Sequence, residues 1–251
     1  MRKENIQQLI EAGLQGAEVM VDFCMRYGNP STKSKVRKMV DAGCDRILFF
    51  PLYPNYAGPT SATANDQFFR VLMEEKWQPV VRIVPPYFDE PAYIDALAQS
   101  VERAYASAKE RPEILLCSYH GVPERYLREG DPYHCQCQKT TRLLRERLGW
   151  SETEIITTFQ SKFGPEEWLK PYTVEEVARR AEAGVKRLAV IAPAFSADCI
   201  ETLEEIQGEI CEAFMHAGGE SFTYIPCLND QPAHIAALSG IIRENLGGWL
   251  A

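Results

Sequence analysis

Apolar and polar positions follow two patterns that alternate along the chain. Short, dense apolar runs are typical of strands that are buried on both faces of a parallel sheet. These predicted strands occupy residues 19–25, 47–52, 79–84, 114–117 and 188–191. Apolar residues three or four positions apart predict helices over residues 1–16, 32–40, 64–75, 91–110 and 235–250, the second of them capped by Ser31 or Thr32. The alternation of the two patterns predicts an α/β fold with parallel sheets.

The second half of the chain repeats the first. Residues 26–28 (RYG) match 162–164 (KFG), residues 41–46 (DAGCDR) match 182–187 (EAGVKR), and residues 89–92 (DEPA) match 230–233 (DQPA), at offsets of 136, 141 and 141. A nearly constant offset predicts two similar Rossmann-like, doubly wound units. We expect an N-terminal lobe at residues 1–110 and a C-terminal lobe at residues 111–251, with the last helix packing across both and a ligand cleft between them.

The repeat also predicts that the first lobe starts in the middle of the pattern. The second lobe opens with a strand and loop over residues 113–137, and their counterpart at the same offset would precede Met1. Two interpretations stay open. Either the first strand, its loop and part of a helix were lost, or the lobe has been remodelled without them.

Composition narrows the range of partners. The formal net charge is −8 and no basic stripe is present, so nucleic acid is not expected as a partner, whereas the excess of acid suits a cation. No G-x-G-x-x-G motif or P-loop follows any strand, which argues against nucleotide binding. No apolar run approaches the ~20 residues of a membrane span, and the N-terminus lacks the apolar core of a signal peptide. We expect a cytoplasmic protein, with peripheral contact to the inner membrane left open.

Residues that could carry out chemistry follow two of the predicted strands. His120 follows the run 114–117, at the carboxyl edge where parallel sheets bind ligands. A histidine bonded to its own turn is the alternative. After the run 188–191, a predicted helix at about 100° per residue places five carboxylates on one face. They belong to Asp198, Glu201, Glu205, Glu209 and Glu212. These acids are either a solvated face or a line of oxygen ligands for a divalent cation, and both sets of residues are expected to converge over one cleft.

Four blocks of sequence, in this order and spacing, carry a family resemblance. They are residues 116–123 (LCSYHGVP), 130–133 (GDPY), 159–171 (FQSKFGPEEWLKP) and 193–206 (PAFSADCIETLEEI). The chain resembles the ferrochelatases, the terminal enzymes of haem biosynthesis, and the likeness extends to residues 26–27 and 53–56. The resemblance implies a lyase that inserts Fe²⁺ into protoporphyrin IX to form protohaem. It also implies that the segment missing before Met1 would have supplied a lip of the porphyrin pocket.

The resemblance implies roles for individual residues. His120 and Glu201 match the catalytic pair, one of which takes the pyrrole protons while the other presents the metal; their division of labour stays open. The implied metal ligands are His120, Glu201, Glu205, Glu209 and Asp198. The implied porphyrin-binding residues are Tyr53, Tyr56, Trp168, Phe195 and Ser118. Cys199 departs from a histidine found at its position in many members, which puts a metal-binding role for that position in question.

Cofactor expectations follow from the cysteines. Scattered among apolar or helical positions, most of the eight are expected to be reduced thiols. Animal members carry a [2Fe–2S] cluster, but here no cysteine follows Cys227 and Gly58 stands where the upstream ligand would be. We therefore expect no tightly bound cofactor, with Fe²⁺ as a substrate. Cys135 and Cys137 leave one internal metal site open, although a C-x-C pair supplies two of the four ligands that such a site needs.

Three functions remain to be separated. The first is iron insertion into protoporphyrin. The second is a related tetrapyrrole chelatase that uses Co²⁺ or Ni²⁺. The third is an inactive porphyrin- or haem-binding fragment, which would result if the shortened first lobe cannot complete the binding wall.

Overall fold

The computed structural model describes residues 19–250 as an α/β protein. In chain order the elements are α1 (Thr32–Asp41), β1 (Arg46–Phe49), a π-helical turn (Gly58–Ala62), α2 (Thr63–Glu74), β2 (Val80–Ile83), α3 (Pro91–Ser107), β3 (Ile114–His120), α4 (Glu124–Arg128), α5 (Tyr133–Leu148), β4 (Ile155–Gln160), α6 (Thr173–Glu182), β5 (Arg187–Ile191), a π-helix (Glu201–Ile210), α7 (Cys211–His216), β6 (Ser221–Ile225) and α8 (Pro232–Asn245). All strand pairs are parallel, which confirms the predicted fold class.

The chain divides into two compact units. The first unit comprises Met1–Pro86 together with Asp230–Ala251, and the second unit is Tyr87–Asn229. In the first unit, β1 pairs with β2, and the rings of Phe49 and Phe68 stack with centroids 4.4 Å apart in its core. Helix α1 begins as the sequence predicts, because Ser31 Oγ accepts a hydrogen bond from the Ser34 amide at 3.2 Å.

The second unit is built on a four-stranded sheet in the order β4-β3-β5-β6. Strand β3 lies inside this sheet, and its first six residues are buried, as a dense apolar run predicts. Below the carboxyl edge, Leu116 and Val190 pack with Ile206 and Phe214 in one cluster. The sheet therefore fixes the carboxyl ends of β3 and β5. His120 ends the first of these strands, and the acidic helix follows the second.

Two predictions about the N-terminal region have different outcomes. The helix predicted over residues 1–16 lies outside the described residues. The strand predicted over residues 19–25 is wrong: these residues form no regular secondary structure, and Met25 makes an isolated bridge to Ser31. Instead of joining a sheet, the segment is tied to α1, because the buried Asp22 carboxylate accepts hydrogen bonds from Lys35 and Lys38.

The structure confirms the internal repeat. Helix α6 begins and ends 141 residues after α1, and β5, β6 and α8 begin 141 residues after β1, β2 and α3. Gly43 and Gly184, at the same offset, end α1 and α6 with φ of +86° and +99°, the left-handed conformation that glycine adopts without steric cost. The two units therefore share one plan.

The compact units differ from the division at residue 110. Helix α3 follows β2 in sequence but belongs to the second unit, where it packs against α5 and where Tyr93 Oη donates to the Pro193 carbonyl oxygen at 2.7 Å. Helix α8 follows β6 but belongs to the first unit, where Arg82 donates to the Asn245 carbonyl oxygen at 2.7 Å. The repeat identifies these helices as equivalent, whereas packing decides which sheet each one covers. Among the described residues, none of the helices has the length and apolar character required to cross a bilayer.

Candidate active site

His120 is the last residue of β3 and lies opposite Gln160 of β4 in the sheet register. Its Nδ1 is 2.7 Å from the carbonyl oxygen of Gly121. Because a carbonyl oxygen only accepts, Nδ1 must carry the hydrogen and donate it. In the neutral ring, Nε2 then keeps its lone pair and is the atom that can take a proton or bind a metal.

Gly121, the residue after β3, lies so close to Gln160 and Trp168 that a larger side chain would not fit. Its amide donates to the Gln160 carbonyl oxygen at 2.8 Å. A Cβ at this position would lie 2.8 Å from that oxygen and 3.0 Å from a ring carbon of Trp168. Glycine is therefore required here by the close approach of the backbone, and this approach fixes the position of His120.

The predicted acidic helix is a π-helix over Glu201–Ile210, whose i→i+5 hydrogen bonds make a wider turn than an α-helix. Glu201, Glu205 and Glu209 line a cavity of about 500 Å³ in the second unit. The other lining residues are Phe159, Gln160, Ser161, Lys162, Phe163, Tyr172, Val174, Glu175, Ile200, Glu204 and Ile210. Two of these, Glu175 and Glu204, add carboxylates, so the cavity is strongly acidic and suits a cation.

The structure brings some predicted residues together and leaves others apart. Neither His120 nor Asp198 is among the residues that line this cavity. His120 is connected to it through Trp168, whose ring centroid is 6.5 Å from His120 and 4.8 Å from the cavity residue Phe163. Gln160 makes a second connection, since it lies beside His120 in the sheet and its Nε2 donates to the Glu201 carbonyl oxygen at 2.7 Å.

Asp198 holds two loops together. Its Oδ1 accepts from Tyr224 Oη at 2.5 Å and from the Cys227 amide at 3.1 Å, and its Oδ2 accepts from Asn229 Nδ2 at 2.7 Å. Burial alone would raise the pKa of Asp198, but the hydrogen bonds outweigh it and hold the pKa below the usual aspartate range. These contacts favour an anchor for the segment that leads into the π-helix, whereas the resemblance predicted a metal ligand.

Replacing Asp198 with asparagine is expected to lower stability at pH 7 by about 1–3 kcal/mol, because the new amide group would face the amide of Asn229. A carboxylate with a lowered folded-state pKa stabilises the fold above its unfolded pKa of about 3.9 and loses that contribution as pH falls through the folded value. The gap between the two proteins in urea unfolding should therefore begin to narrow near pH 4 and shrink further as the pH falls through the folded-state pKa. An Asp41→Asn variant, changed at an exposed position of α1, is the control; a gap that does not depend on pH would contradict the anchor role.

The predicted porphyrin-binding residues lie in different environments. Ser118 is fully buried and donates its hydroxyl hydrogen to Gln160 Oε1 at 2.7 Å, and a porphyrin-binding role for it stays a prediction. Trp168 is 6% exposed, and Phe195 packs against the core cluster of the second unit. Tyr53 and Tyr56 are half-buried in the loop after β1 of the first unit.

The C-x-C pair does not form a common site. Cys135 is exposed and Cys137 is fully buried, because residues two apart on α5 point to different sides of the helix. Burial raises the pKa of the Cys137 thiol well above its usual value. Within residues 19–250, no group of three or more histidine, cysteine, aspartate or glutamate residues is arranged so that it could hold a metal ion.

Comparison with known proteins decides the family. A family model described as ferrochelatase matches residues 2–246. The chain is 66% identical over 245 residues to the ferrochelatase of Rhodobacter capsulatus, which covers 98% of this chain and 70% of that protein. It is 56% identical over 233 residues to the ferrochelatase of Rhizobium meliloti strain 1021, with 93% and 69% covered. The chain belongs to the ferrochelatase family.

Solved structures agree on the fold of this ferrochelatase-family chain. SirB from Bacillus subtilis, determined with Fe³⁺, has a TM-score of 0.67 at 14% identity, with 98% of this chain and 90% of SirB covered. CbiX, described as the terminal enzyme of sirohaem biosynthesis in denitrifying bacteria, has a TM-score of 0.54 at 17% identity, with 82% and 79% covered. At these identities the likeness shows the chelatase fold alone.

Cys199 lies two residues before the π-helix of this ferrochelatase-family chain. Burial and a hydrogen bond with the Glu201 carboxylate raise the pKa of the Cys199 thiol to about 11. At neutral pH the thiol is therefore protonated and donates to Glu201. Cys199 thus contacts the carboxylate that the resemblance assigns to the metal.

Sequence reasoning missed several residues of the site. Ser161 donates from both its amide and its Oγ to Glu205, each at 2.5 Å, and its φ of +64° follows no sequence signal. Glu204 and Glu175 line the cavity although neither falls on the predicted acidic face. Gln160 could have been found from the sheet register, because a parallel partner of His120 at the same edge must lie close to it.

Proposed function

We propose that this chain inserts Fe²⁺ into protoporphyrin IX to form protohaem, with iron as a substrate that approaches along the π-helix carboxylates. Membership of the ferrochelatase family supports the reaction. The observation that carries the proposal is the sheet edge at which His120 Nε2 keeps its lone pair while Gln160, the neighbour of His120, is bonded to Glu201.

Insertion exchanges one ion for two protons. The free porphyrin releases two pyrrole hydrogens as H⁺ while its four nitrogens bind Fe²⁺. A neutral imidazole is a competent proton acceptor near pH 7, so we assign proton removal to His120 through Nε2. Glu201 is assigned to the metal, because carboxylate oxygens bind divalent ions without the strong retention that thiolates impose.

The carboxylates of the cavity would deliver the ion. Glu209, Glu205 and Glu201 follow one another at intervals of four residues on the π-helix and line the same 500 Å³ cavity. Successive oxygen ligands can replace the water of a hydrated ion in steps, each of which costs less than complete dehydration. The order from Glu209 to Glu201 leads towards the sheet edge where Gln160 and His120 lie.

Anaerobic insertion tests the proposal. Purified chain is mixed with Fe²⁺ and protoporphyrin IX, and formation of the metalloporphyrin is followed by its absorbance. We expect turnover with Fe²⁺ that exceeds turnover with Co²⁺ and Ni²⁺, and with protoporphyrin that exceeds that with coproporphyrin. A shift of the porphyrin Soret band without metal insertion would overturn the catalytic proposal and favour a binding module. Preferential use of Co²⁺ or Ni²⁺ would favour a related chelatase.

A further inference from the structure

One amide joins the sheet edge that carries His120 to the carboxylates of the π-helix. Gln160 is 4% exposed and lies opposite His120 in the register of β3 and β4. Its Nε2 donates to the Glu201 carbonyl oxygen at 2.7 Å and to Glu205 Oε2 at 3.2 Å. An amide nitrogen has two hydrogens, so both are used on the π-helix.

Ser118 bonds to that amide from the opposite side and holds it in place. Its Oγ donates to Gln160 Oε1 at 2.7 Å and lies 2.8 Å from Thr173 Oγ1, which donates to Thr158 Oγ1 at 2.9 Å. Ser118, Thr158 and Thr173 are all 0% exposed. A flipped amide would place Oε1 against two oxygen acceptors, and buried mismatches of this kind cost about 1–3 kcal/mol for each group. The two acceptors on the π-helix therefore select one orientation, and the Ser118 hydroxyl satisfies the Oε1 that faces it.

The same contacts hold Glu201 and Glu205 in different ways. Glu205 is held by its side chain, because Gln160 and both donors of Ser161 meet its carboxylate. Glu201 is held by Gln160 through its backbone carbonyl oxygen. An aliphatic residue at position 160 could make neither contact, and a glutamate would oppose both acceptors with oxygen.

We propose that Gln160 is a positioning residue for metal insertion and that Ser118 acts through it. Together they fix the backbone of Glu201 and the carboxylate of Glu205 relative to the strand that ends in His120. The inference rests on the proposed function and extends it to two buried residues that need not touch either substrate. Loss of either residue should weaken the handling of iron while leaving the handling of porphyrin intact.

Three variants of the full chain test the proposal by anaerobic Fe²⁺ insertion. In Ser118→Ala and Gln160→Leu, the KM for Fe²⁺ should rise about tenfold, equivalent to one lost hydrogen bond of ~1.4 kcal/mol, while the KM for protoporphyrin stays within about twofold. Thr158→Val breaks the same hydroxyl chain at a residue whose hydroxyl bonds to Thr173 rather than to Gln160, and it should leave both values unchanged. An unchanged KM for Fe²⁺ in Ser118→Ala, or an equal rise in Thr158→Val, would overturn the proposal.

Hydrogen exchange gives a second readout that needs no turnover. Amides of residues 201–210 should exchange about tenfold faster in Ser118→Ala and Gln160→Leu than in the unaltered chain, and at the same rate in Thr158→Val. Equal exchange in all four proteins would overturn the positioning role. If the unaltered chain inserts no iron, the proposed function fails and the exchange rates alone decide this inference.

Discussion

Replacing His120 with alanine is expected to reduce kcat for iron insertion by about 100-fold or more, the usual contribution of a positioned general base. The substitution removes Nε2, the nitrogen left with a lone pair once Nδ1 donates to the Gly121 carbonyl oxygen. His120 is only partly buried and ends its strand, so the fold should be preserved. Anaerobic insertion kinetics, with circular dichroism of the same samples, provide the measurement.

The matched control for this prediction is His216→Ala, which removes an exposed imidazole at the end of α7. That variant should insert iron at the rate of the unaltered chain. If His120→Ala retains turnover within about threefold, far less than the loss of a general base, His120 has no part in proton removal. In that case the base must be sought among the carboxylates of the cavity.

Replacing Gly121 with alanine is expected to cost about 1–3 kcal/mol of unfolding free energy, the usual range for a methyl group forced into a packed site. The new Cβ would lie 2.8 Å from the Gln160 carbonyl oxygen and 3.0 Å from the Trp168 ring. One neighbour is backbone at the carboxyl end of the β3–β4 ladder, so relief requires displacement of His120 or Gln160. Urea unfolding and insertion assays should both show the defect.

The control for Gly121 is Gly240→Ala, on α8, where an added Cβ meets nothing within 4 Å. Alanine is favoured over glycine inside a helix by roughly 0.5–1 kcal/mol, so this variant should be neutral or more stable. A Gly121→Ala protein with unaltered stability and turnover would show that the sheet edge can relax. The close approach would then not be what fixes His120.

Sequence periodicity identified acidic residues of the site but assumed an α-helix where the structure has a π-helix. An α-helical arc grouped Glu201, Glu205 and Glu209, and the π-helix also brings these three together, since they are four residues apart. The wider turn additionally brings Glu204 to the cavity, whereas Glu212 lies beyond the π-helix, in α7. The helix type could not be predicted from the pattern, because its backbone contacts include a tertiary hydrogen bond from Gln160 to the Glu201 carbonyl oxygen.

The roles of Ser118 and Asp198 could not be predicted from residue type. Each belongs to a family motif, and each is a chemically plausible ligand group. Their roles depend on neighbours that are distant in sequence: Gln160 accepts from Ser118, and Tyr224 and Asn229 donate to Asp198. His120 was predictable because a buried apolar run followed by glycine and proline fixes a strand end without reference to any distant residue.

The division of the chain into two units has a consequence for synthesis on the ribosome. The second unit, Tyr87–Asn229, is contiguous and contains His120, Gln160 and the whole π-helix. The first unit is interrupted by it and is completed only by α8, near the C-terminus. Because domains generally fold as they emerge, the second unit can reach its native state while the first still lacks a helix. The residues assigned to chemistry are thus assembled early, and the first unit must stay unfinished, open to chaperones and proteases, until α8 has been synthesised.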